Sequence, residues 1–128
     1  MKSLFLILGI LLLAKMALCQ TKYKSYVKEK ATWNYFEKKY DVPKRYEEVT
    51  EIVLDWSTIL FRNDAITLTI IREDKTVLGN DYDLDSWIVW GDFPSDILKF
   101  TIAKYKTSND IVFTIVAQQG LIRWYAKQ

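Results

Sequence analysis

From residue 49 onward the chain is written in short apolar runs with alternating side chains, each closed by a turn, and few folds accept that pattern. In "AITLTIIR" Ile66, Leu68 and Ile70 alternate with Thr67, Thr69 and Ile71, the period of a strand with one buried face. "SWIVW" (86–90) is apolar on both faces, as a central strand is. "ILKFTIAKY" (97–105) sets Leu98, Phe100 and Ile102 against Lys99 and Thr101, and "IVFTIVA" (111–117) and "LIRWYAK" (121–127) follow. Turn residues separate the runs at "RND" (62–64), "EDK" (73–75), "KTSND" (106–110) and Gln119–Gly120. This rhythm predicts a mainly β fold, a single-domain antiparallel meander that is either an open sheet or a small barrel. The expected core is Ile66, Leu68, Ile70, Ile88, Phe100, Ile102, Phe113, Ile115 and Trp124.

The segment before residue 49 reads two ways. In "KYKSYVKEKATWNYFEKKYDVP" Tyr23, Val27, Ala31 and Tyr35 recur at i, i+4, with Pro43 beyond the end, which suits an amphipathic helix. Trp33 and Tyr35 also alternate with Asn34 and Phe36, and Trp and Tyr favour sheets. The alternative fold is therefore α+β, with a helix over 22–39 packed on an antiparallel sheet. "YEEVTEIVLDW" is ambiguous in the same way, and its Val, Ile and Thr content favours a strand.

The first nineteen residues have the form of an export signal: Lys2, an apolar run from Leu4 to Ala14, then Ala17 and Cys19 at a small-residue cleavage site. The run is too short for the roughly 30 Å of a bilayer core, which needs about 20 residues. The expectation is a signal peptide over 1–19, a single β-rich domain over 20–128 with no transmembrane segment, and a secreted or periplasmic location. A lipid anchor through Cys19 is the lesser option. Residues 20–128 contain no cysteine, so packing alone must hold the domain. Without Lys2 and Lys15 the 18 basic residues fall to 16, equal to the 16 acidic ones. Basic residues gather in 20–45 and acidic residues in 46–128, as expected of two parts that attract each other in the fold. No nucleic-acid partner is expected of a neutral chain.

The chain has no histidine, and its one cysteine is Cys19. That removes Ser-His-Asp and Cys-His catalysis, and zinc, copper or iron held by His or Cys. The glycines are isolated, so no phosphate-binding loop is present. No enzymatic activity and no cofactor are expected.

"NDYDLDSWIVWGDFPSD" (80–96) is the densest cluster of carboxylates. Counting Asp81 as position 1, Asp83 and Asp85 fall at 3 and 5 and Asp92 at 12, an echo of an EF-hand calcium loop. Ser86 stands where the turn glycine belongs and Asp92 where a bidentate Glu belongs. A turn running into a strand is the better reading, with these four aspartates as weak metal candidates only.

The signal, the runs "EIVLDWSTILF" and "ITLTIIRED", and "SWIVWGD" together resemble small exported β-rich proteins of Gram-negative bacteria. The resemblance implies location and fold class and transfers no activity. The remaining signal is aromatic, with five tryptophans and eight tyrosines, residues that fill cores and also mark binding surfaces. The expected function is a non-enzymatic binding or interaction module outside the cytoplasm. In a barrel, Trp87 or Trp90 would line a cavity for a small apolar molecule. On an open sheet, an aromatic face with Lys22, Lys24, Lys28 and Lys30 would take a protein or envelope polymer. A structural envelope protein is the plainer alternative, and a calcium-binding extracellular domain through Asp81–Asp92 the lesser one.

Overall fold

A computed structural model describes residues 20–92 and 95–128; the leader read in residues 1–19 lies outside them. The described chain is all β. In order, the strands are β1 (Thr21–Asn34), β2 (Lys39–Tyr40), β3 (Lys44–Tyr46), β4 (Thr50–Leu54), β5 (Thr58–Phe61), β6 (Ile66–Leu78), β7 (Tyr82–Asp92), β8 (Ser95–Tyr105), β9 (Asp110–Ala117) and β10 (Gly120–Lys127). Each strand from β4 to β10 pairs antiparallel with the next, and β10 pairs back onto β1. Since β1 also pairs with β4, eight strands close into an up-and-down barrel, while β2 and β3 prolong the wall along the end of β1. Closure removes the sheet edge that an open meander would leave exposed.

The barrel, rather than the open sheet, is thus the form the meander takes, and the helix expected as an alternative over 22–39 does not form. The i, i+4 spacing that suggested it does not mark one face of the chain. The β1 ladder slips by one residue between Ser25 and Val27, so the inward set runs Tyr23, Ser25, then Lys28. The bulge puts Val27 and Ala31, opposite Tyr125 and Leu121, on the face away from Tyr23, so the i, i+4 set shares no face. The turn expected at "EDK" is also absent. β6 runs on to Leu78, with ladder irregularities at Ile70/Arg72 and Glu73/Lys75. Two extra residues taken up as bulges let the polar stretch stay in the strand.

The interior is packed around an aromatic belt. Phe61 stacks on Trp124 with centroids 4.0 Å apart, and Phe100 meets both Phe61 and Phe113 at 6.2 and 6.3 Å. Phe61, Phe100, Phe113 and Trp124 are fully buried, with Ile52, Ile59, Leu68, Val89, Ile111 and Ile115 around them. Of the expected core, Ile66 and Ile70 pack against this cluster from partly buried positions. Ile88 is a correction: its neighbours Trp87 and Val89 belong to the interior, and Ile88 pairs with Lys99 on the outer wall. Outside, Glu29 of β1 accepts a hydrogen bond from Tyr125 Oη and pairs with Arg45 and Arg123, tying β3, β1 and β10 together.

Candidate functional site

The slip in β1 decides where its lysines go. Before it, Lys22 and Lys24 pair with Val53 and Glu51 on the outer wall. After it, Lys28 and Lys30 stand opposite Trp124 and Ile122 and turn inward. The four lysines singled out from the sequence therefore split into two pairs on opposite faces.

Lys28 is almost wholly buried. Its Nζ pairs with Asp64 Oδ1 at 2.5 Å and Glu48 Oε2 at 2.8 Å. Asp64 comes from the β5–β6 turn (62–65), which folds back over the start of β4, where the Arg62 N–H donates to the Glu51 carbonyl at 3.0 Å. Asp64 Oδ2 accepts from Trp124 Nε1 at 3.0 Å and from Thr50 Oγ1 at 3.2 Å. The next residue, Ala65, is held at φ 52°, a left-handed conformation that alanine seldom adopts. Burial on its own would push the Asp64 carboxyl up, but bonds from Lys28, Trp124 and Thr50 outweigh it and hold the group below the usual carboxylate range. Burial would likewise lower Lys28, yet its bonds to Asp64 and Glu48 win and leave it raised. A fully bonded pair of this kind has no proton or charge to spare for chemistry. It is a clamp.

One layer above the clamp the packing stops. At the end of the barrel formed by the β9–β10 and β5–β6 turns lies an open cup of about 430 Å³. Its wall is apolar, with Ile66, Leu68, Leu98, Ile115 and Ile122 pointing inward. Gly91 and Gly120 contribute no side chain to the wall, which leaves the space open. Lys30 and Asp96 reach the mouth from different strands, with Gln118 and Gln119 between β9 and β10. Gly120 has a second role. A Cβ there would sit 2.2 Å from the Ala31 carbonyl oxygen, so only glycine lets the β9–β10 turn meet β1 and close the barrel.

At the opposite end a smaller cleft of about 240 Å³ lies between the β4–β5 turn and the inner faces of β6, β7 and β8. Trp87 lines it, together with Trp56, Ile70 and Ile102. Trp90 does not share it. The residue faces outward and is 42% exposed, opposite Ile97 on β8. The two tryptophans expected to act together are on opposite faces of β7, as the odd spacing between them requires in a strand.

The aspartates of the EF-hand echo are strung along a strand instead of curling into a loop. Asp81 precedes β7, Asp83 and Asp85 face Lys104 and Ile102 across the ladder, and Asp92 ends the strand roughly 30 Å from Asp83 at strand rise. Asp85 accepts from Thr76 Oγ1 at 3.0 Å, and Asp83 pairs with Lys106 at 3.4 Å. Among the described residues no group of three or more His, Cys, Asp or Glu is placed to hold a metal ion, and no helix is long and apolar enough to cross a membrane.

Sequence reasoning did not pick out Asp64, Leu98, Ile122 or the mouth residue Asp96 as parts of a site. "RND" reads as an ordinary turn, and nothing local says that its third residue reaches Trp124. The apolar lining residues were legible only as core. Comparison with protein families, with characterised proteins and with solved structures gives no match.

Proposed function

We propose that the protein is a non-enzymatic binding module, acting outside the cytoplasm, that takes a small and largely apolar molecule into the cup above the aromatic belt. One observation carries this reading: an apolar, open cavity of about 430 Å³ at one end of a barrel that is packed through its middle. An eight-stranded barrel is just wide enough to be filled by side chains or to hold one small ligand, and this one is filled in part. The volume falls within the roughly 300–1,000 Å³ of small-molecule sites. The export signal in the sequence supports the location, and the absence of histidine supports binding without catalysis.

The test is titration with Nile red, a neutral apolar dye that brightens on leaving water. Wild-type protein should brighten it with saturable, one-to-one binding. Leu98→Trp, which fills the cup, should abolish that signal. Binding that survives Leu98→Trp would place the dye elsewhere and defeat the proposal.

A second reading, a protein or polymer partner on the outer wall, has one observation in its favour. Trp90 and Ile97 are exposed cross-strand neighbours there. Trp90→Ala would then weaken capture of the partner and leave Nile red binding unchanged.

A further inference from the structure

The mouth of the cup carries an electrostatic arrangement that the fold does not explain. Lys30 of β1 stands directly opposite Lys44 of β3 in the antiparallel ladder, on the same face of the sheet. Like charges at directly opposed positions destabilise a sheet. The neighbouring charges on β1 are matched, Lys28 by Asp64 and Glu48 and Glu29 by Arg45 and Arg123, whereas Lys22 and Lys24, on the outer wall, form no ion pair among the described residues. Neither Lys30 nor Lys44 forms an ion pair among the described residues. The Lys30 ammonium rests 5.7 Å from the centre of the Tyr46 ring, a contact that orients it without neutralising it. Lys30 also lines the cup itself. An unneutralised ammonium thus borders an apolar cavity open to water, and a second one, on Lys44, stands next to it across the ladder.

We infer that the cup takes a monoanionic amphiphile, its apolar chain in the cavity and its anionic head on Lys30 and Lys44. This rests on the cup being a ligand site, and adds the sign and position of the ligand's head. A carboxylate is the smallest head that fits the chemistry, because two ammonium groups can each donate a charge-assisted hydrogen bond to one of its oxygens. Asp96, the one carboxylate lining the cup, is on β8, three strands away from β1 around the wall. Its Oδ1 already accepts from the Ile97 N–H at 2.8 Å. The mouth is therefore polarised, cationic at β1–β3 and anionic at β8. That arrangement turns the head of an anionic ligand towards the lysines.

Displacement of bound Nile red separates this inference from the reading beneath it. The competitors are dodecanoate, dodecanol and dodecylammonium, each below its micelle concentration at neutral pH. Dodecanoate should compete best, with dodecanol roughly tenfold weaker, the worth of one good charged hydrogen bond. Dodecylammonium should be weakest. In Lys30→Met/Lys44→Met, dodecanoate should fall to the level of dodecanol, and dodecanol itself should be unchanged. Each single variant should lie between, which guards against a fold defect in the double one. Equal competition by dodecanoate and dodecanol in the wild type, or a double variant that keeps the carboxylate preference, would overturn the inference and leave the apolar cup standing. Failure of wild-type protein to bind Nile red at all would defeat the cup as well.

Discussion

The indole N–H of Trp124 donates to Asp64 Oδ2 at 3.0 Å, joining residues 60 apart in the chain. The bond fixes the β5–β6 turn to β10, and Lys28 on the other oxygen of Asp64 secures it to β1. Removing Asp64 leaves the buried Lys28 with Glu48 alone and the Trp124 indole N–H without an acceptor, and costs about 3 kcal/mol. Asp64→Ala should lose about that much in urea unfolding. Adding Lys28→Met to Asp64→Ala should recover part of the loss, because the buried ammonium, held by Glu48 alone in the single variant, is then gone. If the double variant is no better than the single one, the pair is not the unit that matters.

The same pair sets the response to pH. The Asp64 carboxyl is held below its ordinary range, so its contribution is present above the unfolded value near pH 4 and is lost as pH falls through the folded value. Lys28 is raised, so its contribution is complete below its unfolded value near 10.4 and is lost as pH rises through the folded one. Stability should be flat between these limits and fall at both ends. In Asp64→Asn the acid-side fall measured by urea midpoints should become shallower. An unchanged acid limb would assign it to other carboxylates.

Closure of the barrel depends on Gly120. Gly120→Ala places a methyl group against the Ala31 carbonyl and should cost about 1–3 kcal/mol, the range of overpacking. Hydrogen exchange should show the loss concentrated in the β1–β10 ladder. A uniform change across all strands would argue against a local closure point.

Belt and cup should answer oppositely to changes of volume. Phe61→Ala opens a cavity beside Trp124 and should cost about 3–5 kcal/mol. Leu98→Trp adds volume where space already exists and should change stability by less than about 1 kcal/mol. A Leu98→Trp variant as damaged as Phe61→Ala would mean that the cup closes up in solution.

Mass spectrometry of protein from its native host should find a chain beginning at Gln20. An acylated mass would instead indicate a lipid anchor on Cys19, and an intact Met1 terminus would overturn export.

How far the sequence could be read depended on whether a feature was local. The alternation of Ile66, Leu68 and Ile70, or of Phe113 and Ile115, is a local consequence of pleating, and these residues lie where alternation puts them. The odd spacing of Trp87 and Trp90 held a signal too: a strand sends such residues to opposite faces. Lys22, Lys24, Lys28 and Lys30 held no such signal, because the even spacing predicts one face and the slip after Ser25 makes two. A bulge depends on how neighbouring strands register, which the segment itself does not record. The site was the least legible part. The cup is lined by residues drawn from strands across most of the chain, and the Lys30–Lys44 pair exists only once β3 has docked on β1.

The most direct test of the central claim is amide chemical-shift mapping of isotopically labelled protein during titration with dodecanoate. The account predicts shifts concentrated at Lys30, Lys44, Leu68, Leu98, Ile115 and Ile122, with Trp87, Ile102 and Trp90 little changed. Shifts centred on the Trp87 cleft or the Trp90 wall, or no saturable shifts at all, would contradict it.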